Sequence, residues 1–181
     1  MREPAGVSFR VLARTECEAI LARNHVGRVA FSFHDRVDIQ PIHYVYEAGW
    51  LFCRTSPGSK LETLEHNRWL AFEVDEVQGP FDWRSVVVHG TFHRIDPDGS
   101  ERDRAATARA VHLLRQIAPD AFTGDDPAPF RSVIFRVSIG EMTGRAAHPA
   151  PADSATPTEE RDRTTPRQPR PADAPADHSG W

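Results

Sequence analysis

Lysine is almost missing from this chain: of its 22 cationic side chains 21 are arginine, and Lys60 alone is lysine. Cysteine is nearly as scarce. Cys17 and Cys53 form no Cys-x-x-Cys pair and follow no secretory apolar segment, which points to a reducing cytoplasm with both thiols packed in a core. No stretch approaches the run of about 18 apolar residues that a membrane helix needs, so a membrane is not expected as a partner. Positive charge is not in excess either. The net charge is −4, with −2 on residues 1–146 and −2 on residues 147–181, where four Arg face six Asp and Glu. That balance argues against nucleic acid as the main partner. No Gly-x-Ser-x-Gly elbow, Gly-x-Gly-x-x-Gly turn, Walker loop or paired acid motif is present, so a side-chain-only enzyme of those kinds finds no support.

What is present is strand periodicity. Val29, Phe31 and Phe33 alternate with smaller residues, and residues 37–47, 50–54, 69–75 and 83–95 read as further strands. Pro41 cannot donate to a ladder, which predicts an edge or bulge there, and Gly90 predicts a bend or close backbone approach. Val7, Phe9 and Val11 suggest a short edge strand, and a final strand is expected over 131–139. Thr15 and Glu18 have capping-box spacing for a first helix, and Ser100 can cap another running to about Ala118. Residues 76–82 read as a loop. Length allows one domain, expected over 1–146. Residues 147–181 hold seven of the 15 prolines and no apolar period, so they are expected to be a disordered tail.

The lone lysine falls in Arg54-Thr-Ser-Pro-Gly-Ser-Lys60, directly after an apolar strand and before a helix seamed by Leu61 and Leu64. Pro57 suits a first helical position and Ser56 a cap, leaving the N–H groups of Gly58, Ser59 and Lys60 free to meet an anion. A capped, solvated helix end explains the same string. A second cluster, Trp83-Arg84-Ser85, joins a flat aromatic, a planar cation and a hydroxyl, groups suited to a heteroaromatic ring with a phosphate. The alternative is an edge tryptophan, with Arg84 paired to Asp75 or Glu76. His43, His89 and His93 lie on strands but lack the converging carboxylates or thiolates of a zinc site, so no metal is expected.

Taken in order, Gly27-Arg-Val-Ala-Phe31, Pro41-Ile-His-Tyr-Val-Tyr46, Leu51 to Leu61, Phe72-Glu-Val-Asp75, Trp83 to Gly90 and Gly140-Glu-Met-Thr-Gly-Arg145 resemble the pyridoxamine 5'-phosphate oxidase-like split barrels, in the branch that includes nitroimidazole-resistance proteins. The resemblance implies a mainly β fold with helices, a six-stranded FMN-binding split β-barrel, working as a homodimer with flavin at the interface. By the same likeness Arg54, Thr55, Ser59 and Lys60 hold the phosphate, Pro41, Ile42 and His43 flank the ring, and Trp83, Arg84 and Ser85 come from the second subunit. Several nitroimidazole-resistance relatives carry histidine where Arg54 stands, so a mechanism built on that histidine does not transfer. The implied activity is an FMN-dependent oxidoreductase passing reducing equivalents from a reduced nicotinamide to a small acceptor. His43 is the candidate catalytic residue because imidazole titrates near neutrality. A deazaflavin coenzyme, or a non-catalytic protein holding flavin or haem, is the alternative.

Overall fold

The alternating stretches form seven strands, interrupted by three helices. In chain order these are β1 (Val7–Val11), α1 (Arg14–Arg23), β2 (Val26–Phe33), β3 (Arg36–Glu47), β4 (Trp50–Thr55), α2 (Ser59–His66), β5 (Trp69–Gly79), β6 (Asp82–Arg94), α3 (Glu101–Ile117) and β7 (Val133–Pro149). The structure, a computed structural model, describes residues 6–34 and 36–149. The expected tail lies outside the described residues from position 150 onward.

All pairings are antiparallel in the order β1-β7-β4-β3-β2-β5-β6, and an additional β6–β7 ladder joins the two sides of the sheet. Strands β2 to β7 thereby form a six-stranded split barrel, with β1 laid along the far end of β7. Because side chains alternate, one face of each strand fills the barrel: Val29 and Phe31, Ile42 and Tyr44, Leu51 and Cys53, Phe72, Val88 and Phe135 belong to one buried cluster. On the outside, α3 covers part of the sheet, packing Ala110, Leu113 and Leu114 on Val45, Phe52 and Ile134. Strand β4 is therefore buried on both faces, with Leu51 and Cys53 inside and Phe52 and Arg54 outside.

Both sequence-marked irregularities have a visible cause. The β6–β7 register shifts between His89 and Gly90. A Cβ on Gly90 would lie 2.5 Å from the Ser138 carbonyl oxygen, so only glycine lets the strands approach there. Pro41 pairs with Arg28 on β2, while β4 pairs with β3 only from Tyr44 onward, so the missing donor faces no ladder.

Several boundaries differ from expectation. Helix α1 starts at Arg14, because Glu16 accepts a hydrogen bond from the Ala13 N–H at 2.9 Å, so Thr15 lies inside the helix and does not cap it. Helix α2 starts at Ser59, with Gly58 as its N-cap at φ +146°, a conformation side chains resist; Pro57 and Ser56 precede the helix. The free first-turn N–H groups are accordingly those of Ser59, Lys60 and Leu61. Strand β5 continues to Gly79, reducing the expected loop to a tight turn at Pro80 and Phe81. Strand β7 crosses the expected boundary at 146: its end pairs with both β1 and β6 and buries Ala146 and Ala147.

Candidate functional site

Outside the barrel, where β3 and β4 emerge beside the C-terminal end of α3, lies a cleft of about 480 Å³. Val26, Leu114, Ile117 and Pro127 give it apolar walls, and His25, His43, Gln116 and Arg131 give it polar groups. This volume and mixture fall within the range of small-molecule sites. His43 reaches the cleft because it is out of phase with Ile42 and Tyr44, which point into the barrel.

The main electrostatic feature is a pair of coupled cations, Lys60 and Arg131, neither of them held in an ion pair among the described residues. Both are half-buried. Burial, and then the charge on Arg131, holds the Lys60 ammonium below its ordinary pKa against the weaker opposing pull of Asp38. Two cations held this close favour an anion beside them. An Arg131 terminal nitrogen lies 3.2 Å from His43 Nδ1. Guanidinium can only donate, so Nδ1 accepts and the ring proton sits on Nε2. Burial and then the charges of Arg131 and Arg54 lower the His43 pKa, in keeping with a neutral ring.

The other expected residues are distributed unevenly. Ser59 lines a small neighbouring hollow with Arg36, Asp38 and Thr63. Thr55 is buried at the end of β4 opposite Val133, and Ile42 is committed to the core. Pro41 stands exposed on the outer face with His43. Arg54 lines the cleft, yet both terminal nitrogens are bound by Asp126 at 2.5 and 3.0 Å. The likeness expects Arg54 to hold phosphate; here its guanidinium is engaged by a carboxylate of the same chain.

Trp83, Arg84 and Ser85 do not act as one cluster, because a strand sends neighbours to opposite faces. Trp83 lies on the outer face, in register with Ala147 and Val77 and 6.4 Å from the Phe9 ring. On the same face Ser85 donates to Glu73 at 3.1 Å. Arg84 turns to the other side, into a larger cleft of about 820 Å³ beneath α1. There Arg10 is bound by Glu16 at 2.8 Å and Arg23 by Glu76 at 2.6 Å, while Arg84 lies 3.7 Å from Glu76. With its cations answered by acids, this larger cleft is the weaker anion site.

Sequence reading missed Arg131 and Asp126. Nothing distinguishes Arg131 from the other arginines until the fold brings it to His43. Asp126 likewise has no neighbour in the sequence that marks it as Arg54's partner.

The chain matches the pyridoxamine 5'-phosphate oxidase family over residues 13–146. It belongs to that family. An uncharacterised protein of Rhizobium meliloti strain 1021 is 30% identical over 147 residues, covering 76% of this chain and 95% of that protein. The crystal structure of a FAD-binding protein from Mesorhizobium loti is 29% identical, with a TM-score of 0.64, over 79% of this chain and 99% of that one. A Bacteroides thetaiotaomicron protein classed with 5-nitroimidazole antibiotic resistance shares the fold at 20% identity and a TM-score of 0.60, over 78% and 89% of the two chains. The span matched to the pyridoxamine 5'-phosphate oxidase family contains every element from α1 through most of β7, including the whole cleft. Among the described residues no helix is long and apolar enough to cross a membrane.

Proposed function

We propose that this protein binds FMN in the cleft between β3, β4 and the end of α3 and works as a flavin-dependent oxidoreductase in the cytoplasm. The observation that carries the reading is Arg131 in a cleft with apolar walls, coupled to Lys60, with neither cation in an ion pair among the described residues. Family membership supports it, as does the FAD-binding relative from Mesorhizobium loti at 29% identity. The cleft, about 480 Å³ in one copy of the chain, is of small-molecule size.

Lys60 and Arg131 would hold the phosphate, helped by the first-turn N–H groups of α2, where the helix dipole also favours an anion. Val26, Leu114 and Ile117 would exclude water from the ring, and the Gln116 amide could meet its polar edge. His43 offers its Nε2–H as a hydrogen-bond donor, not as a base. When bound, the flavin supplies the redox chemistry, with a reduced nicotinamide as donor and a small molecule as acceptor.

A homodimer completes this reading. The outer faces of β3, β2 and β5 carry Val37, Ile39, Val26 and Trp69, all more than half exposed, around the small residues Ala30 and Ala71. A patch of this kind marks an interaction surface. Val26 belongs to both patch and cleft, so a second copy seated on the patch would also wall the cleft. Trp83 and Ser85 continue the same outer face, which supports their contributing from the second subunit; Arg84 does not.

The test is titration of the purified protein with FMN, FAD and riboflavin, followed by quenching of flavin fluorescence. FMN should bind more tightly than riboflavin. Lys60→Gln and Arg131→Gln should each weaken FMN by about 1.5–3 kcal/mol, roughly 10- to 150-fold, and leave riboflavin nearly unchanged. Equal affinities for FMN and riboflavin, or unchanged FMN binding by both variants, would refute the site. Anaerobic bleaching of bound flavin by NADH or NADPH supports the oxidoreductase; a flavin that neither donor reduces makes the protein a carrier.

A further inference from the structure

We infer that Arg54 is a positioning residue: with Asp126 it pins the segment between α3 and β7, and so sets where Arg131 stands in the cleft. The inference rests on the flavin reading for its consequence, but on the fold alone for its geometry. Asp126 is the most completely engaged carboxylate among the described residues. One oxygen accepts an Arg54 N–H at 2.5 Å and the Phe122 N–H at 2.7 Å; the other accepts a second Arg54 N–H at 3.0 Å and the Ala128 N–H at 2.9 Å. Both side chains are buried, Arg54 at 8% exposure and Asp126 at 2%. The four hydrogen bonds hold the Asp126 carboxyl well below the usual carboxylate range, with Arg54 the largest cause.

From this anchor the chain runs directly to the cleft. The Arg131 N–H donates to the Ala128 carbonyl at 3.0 Å, and the Arg131 guanidinium reaches His43 at 3.2 Å. Arg54, Asp126, Ala128 and Arg131 thus form one continuous hydrogen-bonded path from rigid β4 to the polar group of the cleft. The other arm fixes the far side of the segment. Phe122 has φ +61° and lays its ring 5.2 Å from the Arg54 guanidinium carbon, while Arg115 of α3 donates to the Ala121 carbonyl at 2.9 Å. A segment with no strand or helix of its own needs such an anchor to present a side chain reproducibly. A guanidinium on β4, itself buried on both faces, supplies it. Arg is required because its planar fork matches both carboxylate oxygens, which lysine cannot do.

Asp126→Asn separates this role from direct phosphate binding. If Arg54 bound phosphate, releasing it from Asp126 would leave FMN affinity unchanged or raise it. As a positioning residue, Arg54 loses its anchor, and FMN should weaken by about tenfold or more, the size of one lost charge-assisted contact. Arg54→Gln should act alike, and the double variant should be no worse than the weaker single one. Added to Arg131→Gln, neither change should cost FMN binding further. Hydrogen exchange on the cofactor-free protein tests the pinning whether or not flavin is the ligand. Asp126→Asn should speed exchange at the Phe122 and Ala128 amides while leaving barrel amides such as Tyr44 protected. Arg54→Lys, which keeps the charge but loses the fork, provides the same comparison in a milder form, and protected barrel amides certify that each variant is folded. Unchanged exchange at Phe122 and Ala128 overturns the pinning; additive losses for Arg54→Gln and Arg131→Gln, with Asp126→Asn tight, overturn the positioning role.

Discussion

Replacing Tyr44 by phenylalanine should stabilise this protein. Tyr44 is fully buried at the centre of the barrel, its ring edge-on to Phe72 at a centroid distance of 4.8 Å. Its hydroxyl meets no hydrogen-bond partner among the described residues. Burial pushes the phenol's ionisation far up, so the group is neutral at any working pH. A buried hydroxyl without a partner costs about 1–3 kcal/mol in lost hydration. Phenylalanine removes that cost and keeps every ring contact; against it stands the loss of one oxygen's packing, less than the roughly 1 kcal/mol assigned to a methyl-sized void. The net gain should be about 1 kcal/mol, a rise of about 3 °C in Tm for a domain of this size. Urea unfolding of the cofactor-free protein, with slopes compared as well as midpoints, reads it directly. A loss of more than about 1 kcal/mol would refute the reasoning, because only a hydroxyl that is in fact hydrogen-bonded loses that much on removal.

Gly90→Ala should destabilise by about 1–3 kcal/mol, since its Cβ would collide with the Ser138 carbonyl and the Val137 side chain across the β6–β7 bulge; thermal melting checks it. If the proposed homodimer uses this face, Ile39→Lys combined with Trp69→Lys should halve the mass on size exclusion with light scattering, and an unchanged mass would exclude this face as the dimer surface. The His43 and His93 pKa values are lowered by burial and by neighbouring arginines, so their contribution to stability is complete above the unfolded value of about 6.5 and lost as pH falls through the lower folded values. The urea midpoint of the cofactor-free protein should therefore decline from pH 7 towards 5.5, and His43→Gln with His93→Gln should flatten that decline.

Local signals carried most of the fold. Alternation located β2, β3, β4 and β6, and Ser100 caps α3 as its position suggested, accepting a hydrogen bond from the Asp103 N–H at 3.2 Å. Gly90 and Pro41 marked real irregularities because their constraint is intrinsic to the residue. Two misreadings of extent have one cause: β5 and β7 run past their apolar cores into polar stretches that pair only because a neighbouring strand is there. At the site, Lys60 was legible because it is chemically unique in the chain. Arg54 was legible as special but not as to purpose, since its partner Asp126 is 72 residues away. The alternation that identifies β6 also sends Trp83 and Arg84 to opposite faces. Arg131 acquires meaning only through distance, which no one-dimensional pattern contains.

Strand β7 has a consequence for how the molecule is made. It is the last element of the barrel to leave the ribosome, and it supplies partners to β4, β6 and β1. Until it emerges, those three strands present unpaired edges, and β1 has no partner at all. The barrel therefore cannot assemble during synthesis of its first six strands, and its final ladders join residues as far apart as Val7 and Pro149. Such distant pairings fold slowly and leave an open sheet in the interim. A nascent chain halted before Val133 should be held by chaperones or aggregate, and release of β7 should convert it in one cooperative step.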